Sequence, residues 1–121
     1  MRYMLLIYKD EKQWDGMSEP ERAGIFQQAV DYSEGLRTKG VHLAGDPLEP
    51  ASTATTMRMK SGKTVATAGP FAETTEQLGG YSIVEAKDLD EALSVAARHP
   101  LLRAGLTIEV RPVREGPPRG R

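Results

Sequence analysis

The chain has 121 residues, 39% hydrophobic and 27% charged, with sixteen Lys and Arg against seventeen Asp and Glu for a net charge of -1. That length suits one domain, the composition excludes fibrous and disordered classes, and the balanced charge lacks the basic surplus that phosphate-backbone binding needs, so no nucleic acid partner is expected. Zero cysteines remove disulfides, a thiolate nucleophile and every sulfur-ligated metal site, which suits a cytoplasmic protein.

The run Tyr3-Met4-Leu5-Leu6-Ile7-Tyr8 is too short for a signal peptide or membrane span, so no membrane partner is expected. It reads as a central strand buried on both faces. A polar loop follows around Trp14 and Gly16. Ser18 and Glu21 then show capping-box spacing, with Pro20 in the first turn. Ile25, Ala29, Tyr32, Ser33 and Leu36 recur at three and four residues until Gly40, predicting a helix over 19 to 38. Val41 to Leu48 reads as a second strand and Thr53 to Met59 as a third. Ser61-Gly62-Lys63 is a hairpin turn from which Thr64-Val65-Ala66 pairs back. Beyond the Gly69-Pro70 break, Gly79 to Ala86 is a further strand, with Tyr81, Ile83 and Glu85 on one face and Val84 and Ala86 on the other. Asp88 and Glu91 repeat the capping spacing before a helix whose core face is Leu89, Ala92, Leu93, Ala96 and Ala97, stopped by Pro100. Leu106, Ile108 and Val110 alternate with Thr107, Glu109 and Arg111 in a closing strand. The expected domain is 1–113, and 114–121 a flexible tail.

Setting the small extra strand aside, the order is strand, helix, strand, strand, helix, strand, an α+β fold of the ferredoxin-like βαββαβ plan. Two helices cover one face of such a sheet. Apolar side chains on the other face need a second cover, most simply another copy of the chain in a homodimer packed sheet to sheet.

The two histidines, His42 and His99, lack the spacing of a metal pair, and neither metal nor cofactor is expected. His42, Ala44 and Asp46 alternate on one strand face, which sets the imidazole and the carboxylate about 13 Å apart, lining one pocket or simply the strand surface. His99, ahead of Pro100, reads as a cation at a helix C-terminus. Glu73, Glu76 and Gln77 stand in a loop framed by Gly69, Pro70, Gly79 and Gly80. They form either a ligand rim or, for Glu73, an acceptor of backbone N–H groups within a tight turn path. Tyr8, Tyr81 and Arg111 either face a cavity, where they orient an anionic or aromatic ligand, or serve packing and ion pairing.

The run Gly69-Pro70-Phe71-Ala72-Glu73-Thr74-Thr75-Glu76-Gln77-Leu78-Gly79-Gly80-Tyr81 resembles the DGPF-type branch of the YCII-related family. So do Gly45-Asp46-Pro47-Leu48, Met57-Arg58, Asp88-Leu89-Asp90-Glu91-Ala92 and Ile108-Glu109-Val110-Arg111-Pro112-Val113. The resemblance spans nearly the whole chain except the tail and implies a ferredoxin-like protomer forming a dimeric α+β barrel. It also implies a ligand-binding or accessory module acting beside transcriptional regulators. Two departures weigh against transferred chemistry. Ala68 stands where the family name places Asp, and no histidine precedes Val41, where the founding branch has a helical His proposed to pair with Asp; Gln27 and Gln28 occupy that helix. The rival expectation is a cofactor-free lyase, isomerase or monooxygenase-like enzyme, with Glu73, His42 or Asp46 carrying the proton. The third is a structural interaction protein. A cavity lined by two or more convergent polar groups favours a small-molecule ligand, whereas a filled apolar core favours protein interaction.

Overall fold

The computed structural model describes residues 1–116. In chain order its elements are β1 (Arg2–Lys9), α1 (Glu11–Asp15), α2 (Glu19–Thr38), β2 (His42–Pro47), β3 (Thr55–Lys60), β4 (Lys63–Ala68), β5 (Gln77–Glu85), α3 (Leu89–Ala97), α4 (Pro100–Arg103) and β6 (Thr107–Pro112). A 3₁₀ turn at Ala51–Thr53 joins β2 to β3. Strands β2, β5, β1 and β6 form one antiparallel sheet in that order, while β3 and β4 form a separate hairpin. The βαββαβ plan is therefore carried by β1, α2, β2, β5, α3 and β6, and the hairpin is an insertion. The pairing-back segment is longer than the sequence predicts, because all six residues of β4 find partners on β3.

The alternation of β1 fixes the layers. Tyr3, Leu5 and Ile7 are buried under the helices, whereas Met4, Leu6 and Tyr8 are half-buried on the opposite, open face. Within one chain β1 is therefore fully buried on the helix-covered face and half-buried on the open one. Leu5 and Val84, 1% and 0% exposed, centre a core completed by Tyr3, Ala86, Ala92, Val95 and Ala96, with Tyr32 and Leu36 of α2 packed against it. The Tyr32 hydroxyl donates to the Val95 carbonyl at 2.6 Å and ties α2 to α3.

Helix α2 begins and ends where its pattern predicts, with the Ser18–Glu21 capping box formed in both directions. Helix α3 is rotated from the expected face: Val95 turns inward, and Leu89, Leu93 and Ala97 are exposed, because the sheet contacts the stripe Ala92, Val95 and Ala96. The loop expected around Trp14 contains α1, capped by the Asp10 carboxylate, which accepts from the N–H groups of Lys12 and Gln13. Pro100 starts α4 as well as terminating the run before it, since proline suits the first turn of a helix. Gly79 and Gly80 lie within β5 and not in a turn. A Cβ on Gly80 would sit 3.3 Å from the Asp46 carbonyl oxygen, so glycine allows the close approach of β2. Among the described residues no helix is long and apolar enough to cross a membrane. Of the expected tail, Glu115 accepts the Arg2 N–H at 3.1 Å, and residues 117–121 lie outside the described residues.

Candidate functional site

Strand β2 contains a bulge that decides where its polar side chains go. His42 pairs with Val84 and Ala44 pairs with Ile83, so two steps along β2 match one along β5. His42 therefore shares the helix-covered face with Val84, while Ala44 and Asp46 share the open face with Ile83 and Tyr81. The expectation that His42 and Asp46 alternate on one face is corrected by this extra residue, because a one-residue slip reverses every later side chain.

Between α2 and the sheet lies a half-open cleft of about 230 Å³. Its floor is backbone-rich, formed by Gly45, Gly79 and Gly80, with the Lys9 alkyl chain lying over Gly79. Phe26, Ala29, Val30 and Ser33 contribute from α2, Trp14 from α1 and Ile7 from β1. Its polar lining includes His42, His99, Ser82 and Arg37. His42 and His99 are 6% and 3% exposed. Burial pushes the His42 ionisation down, the Arg37 guanidinium pushes it further, and Glu34 and Asp46 oppose. Arg37 pairs with Glu34, and both border the same cleft. His99 is pushed down to about 4, by burial first and then by His42. Both rings are thus neutral near pH 7, and neither is the helix-terminal cation expected of His99. That residue caps the N-terminus of α4, its Nδ1 accepting the Leu101 N–H at 3.2 Å. Among the described residues the His42 ring has no hydrogen-bond partner, which leaves a buried neutral imidazole facing open space.

The other sequence candidates gather on the open face of the sheet. The Tyr8 hydroxyl donates to Glu109 at 3.1 Å, and Tyr81 reaches Asp46 at 3.5 Å. Tyr8 is held protonated, its ionisation raised by burial and then by Glu109, with Arg111 opposing. A hollow of about 580 Å³ adjoins Tyr8 and is walled by Leu48, Pro70, Phe71, Glu76 and Gln77. Apart from the exposed Glu49, which also borders it, the polar side chains of that wall are engaged within the fold. Glu76 accepts from Thr107 at 2.7 Å, and the Gln77 amide donates to the Thr74 carbonyl at 3.0 Å. Glu73 is exposed and lines neither space, and the turn-stabilising role expected of it falls to Gln77 and Thr74. Among the described residues no group of three or more His, Asp or Glu side chains is arranged to hold a metal.

His99, like His42, was placed wrongly by sequence reasoning, yet for His99 a signal was present: a proline at the first position of a helix makes the preceding residue its N-cap. The contributions of Trp14, Ser33 and Arg37 carry no such mark, because they depend on how far α2 stands from the sheet.

A model of the YCII-related domain matches residues 1–116. An uncharacterized protein, R00369 of Rhizobium meliloti (strain 1021), is 33% identical over 96 residues, covering 79% of this chain and 77% of the relative. Among solved structures, 5-chloro-2-hydroxyhydroquinone dehydrochlorinase (TftG) from Burkholderia phenoliruptrix AC1100, in complex with 2,5-dihydroxybenzoquinone, superposes with a TM-score of 0.58 at 19% identity, covering 96% of each chain. At that identity the likeness establishes a shared ferredoxin-like α+β fold.

Proposed function

The chain belongs to the YCII-related family, and on that premise we propose that it is a small-molecule enzyme that needs no cofactor and uses His42 to move a proton on a ligand held under α2. The observation that carries this is the pair of buried, neutral imidazoles on one cavity. A neutral imidazole bordering a ligand cleft is the commonest biological proton acceptor at neutral pH. A space of about 230 Å³ suits a single small ring, and Trp14 and Phe26 provide apolar walls for one. TftG, named for a dehydrochlorination and seen with a dihydroxybenzoquinone, supports an oxygenated ring as the kind of ligand to try first. The ligand-binding or accessory role is the same cavity without the proton transfer. A purely structural role accounts for His99 as the cap of α4 but gives the His42 ring no hydrogen-bonding task among the described residues.

Native mass spectrometry of the purified protein should show a retained small molecule, or capture one from a panel of hydroxylated ring compounds. With a turned-over compound in hand, His42→Gln should lower kcat by about a hundredfold or more while ligand affinity changes little. Unchanged kcat in a folded H42Q protein would remove His42 from the chemistry. Binding without any turnover would leave the accessory role.

We also propose a homodimer built on the open face of the sheet, where Met4, Leu6 and Ile83 form an apolar centre between Tyr8–Glu109 and Tyr81–Asp46. Sedimentation at micromolar concentration should report a dimer, and Leu6→Asp a monomer, because an unpaired carboxylate cannot be buried there. A stable wild-type monomer would refute the arrangement.

A further inference from the structure

The two nitrogens of His99 have different fates. Nδ1 accepts the Leu101 N–H at 3.2 Å, so it presents a lone pair and not a proton. Because the ring stays neutral near pH 7, its single proton resides on Nε2. Among the described residues nothing accepts a hydrogen bond from Nε2, and no fully enclosed side-chain nitrogen or oxygen is left unpaired. The Nε2–H of a residue only 3% exposed therefore keeps some accessible surface, and His99 borders the cleft. The ring plane is held from behind by Tyr32, whose own ring meets it edge-on at 5.1 Å and 65°.

We infer that His99 is a fixed, uncharged hydrogen-bond donor for a ligand oxygen, and that the cavity accepts small carbonyl compounds with an acidic proton within reach of His42. This rests on the small-molecule assignment of the cavity and adds the substrate class. In the step that follows, the His42 lone pair takes a proton from the carbon next to the carbonyl. The C–H electron pair becomes the new C=C bond, and the carbonyl π pair moves onto oxygen. His42 becomes an imidazolium, and the oxygen, now an enolate, is held by the His99 N–H. A neutral donor serves this better than a cation, since it stabilises the developing charge without surrendering its own proton.

Two measurements on the whole protein test this, with cyclohexane-1,3-dione as the probe. Long-range ¹H–¹⁵N spectra should show His99 protonated on Nε2 and bare on Nδ1 at pH 7, and the probe should shift the Nε2–H signal. Asparagine keeps the helix cap but is too short to reach the cavity in the same way. His99→Asn should therefore leave the fold intact and weaken probe binding by about tenfold. A proton on Nδ1, or equal affinity in H99N, would overturn the inference. If the His42 signals move with probe while those of His99 do not, the donor role alone falls. If neither histidine responds, the small-molecule assignment falls and takes this inference with it.

Discussion

Acidification from pH 7 to pH 4 should cost the native state about 3 kcal/mol through His99 alone. Its ionisation is depressed from 6.5 to about 4 in the fold, so between those values the unfolded chain takes up a proton that the native chain refuses. The stabilisation is complete above pH 6.5 and is lost as pH falls through that window. His42, depressed in the same direction, adds to the slope with the same sign. Urea unfolding at half-unit steps between pH 7 and 4 would measure it. His99→Asn retains the cap and has no titrating ring, so its stability should fall less steeply over the same range. Parallel curves for the two proteins would mean that His99 is not buried as a neutral ring.

The second large effect is expected at Gly45. Its φ of 153° lies in a region that side chains disfavour, and an added Cβ would come within 2.5 Å of the Tyr81 carbonyl oxygen and 2.8 Å of the Ser82 Cα. Both contacts are backbone, so β2 must move away from β5 to relieve them. Gly45→Ala should destabilise by about 3 kcal/mol, visible as a lower urea midpoint at unchanged m-value. The same Cβ would press to 3.1 Å on the His42 ring, so the surviving folded protein should also show altered His42 titration. A variant as stable as wild type would mean that the bulge is looser than its geometry implies.

The elements that depend on local pattern were legible in the sequence. Helix α2 could be read to its ends from the Ser18–Glu21 box and the 3.6-residue stripe, and β1 and β6 from their apolar residues. The YCII relationship was carried by motifs spread along the chain and holds over residues 1–116. What escaped depends on partners distant in sequence. The bulge at Leu43 exists only as a mismatch between β2 and β5, and it alone separates His42 from Asp46. Val95 rather than Leu93 became core because α3 docks by the small surfaces of Ala92 and Ala96, which let the helix lie close to the sheet. Glu73, conspicuous within the family-like run, proved to be a solvated carboxylate, whereas His99, the plainer residue, is buried. Motif position showed the ancestry of the loop but not the burial on which a proton carrier depends.

The central place of β1 has a consequence for how the protein is made. Its two neighbours, β5 and β6, occupy residues 77–85 and 107–112, so β1 is synthesised well before either strand that pairs with it. Until those strands are made, Tyr3 to Tyr8 is a bare, strand-prone sextet that another nascent chain could template. The charges at once behind it, Lys9, Asp10, Glu11 and Lys12, are placed to discourage that encounter until the closing strand arrives.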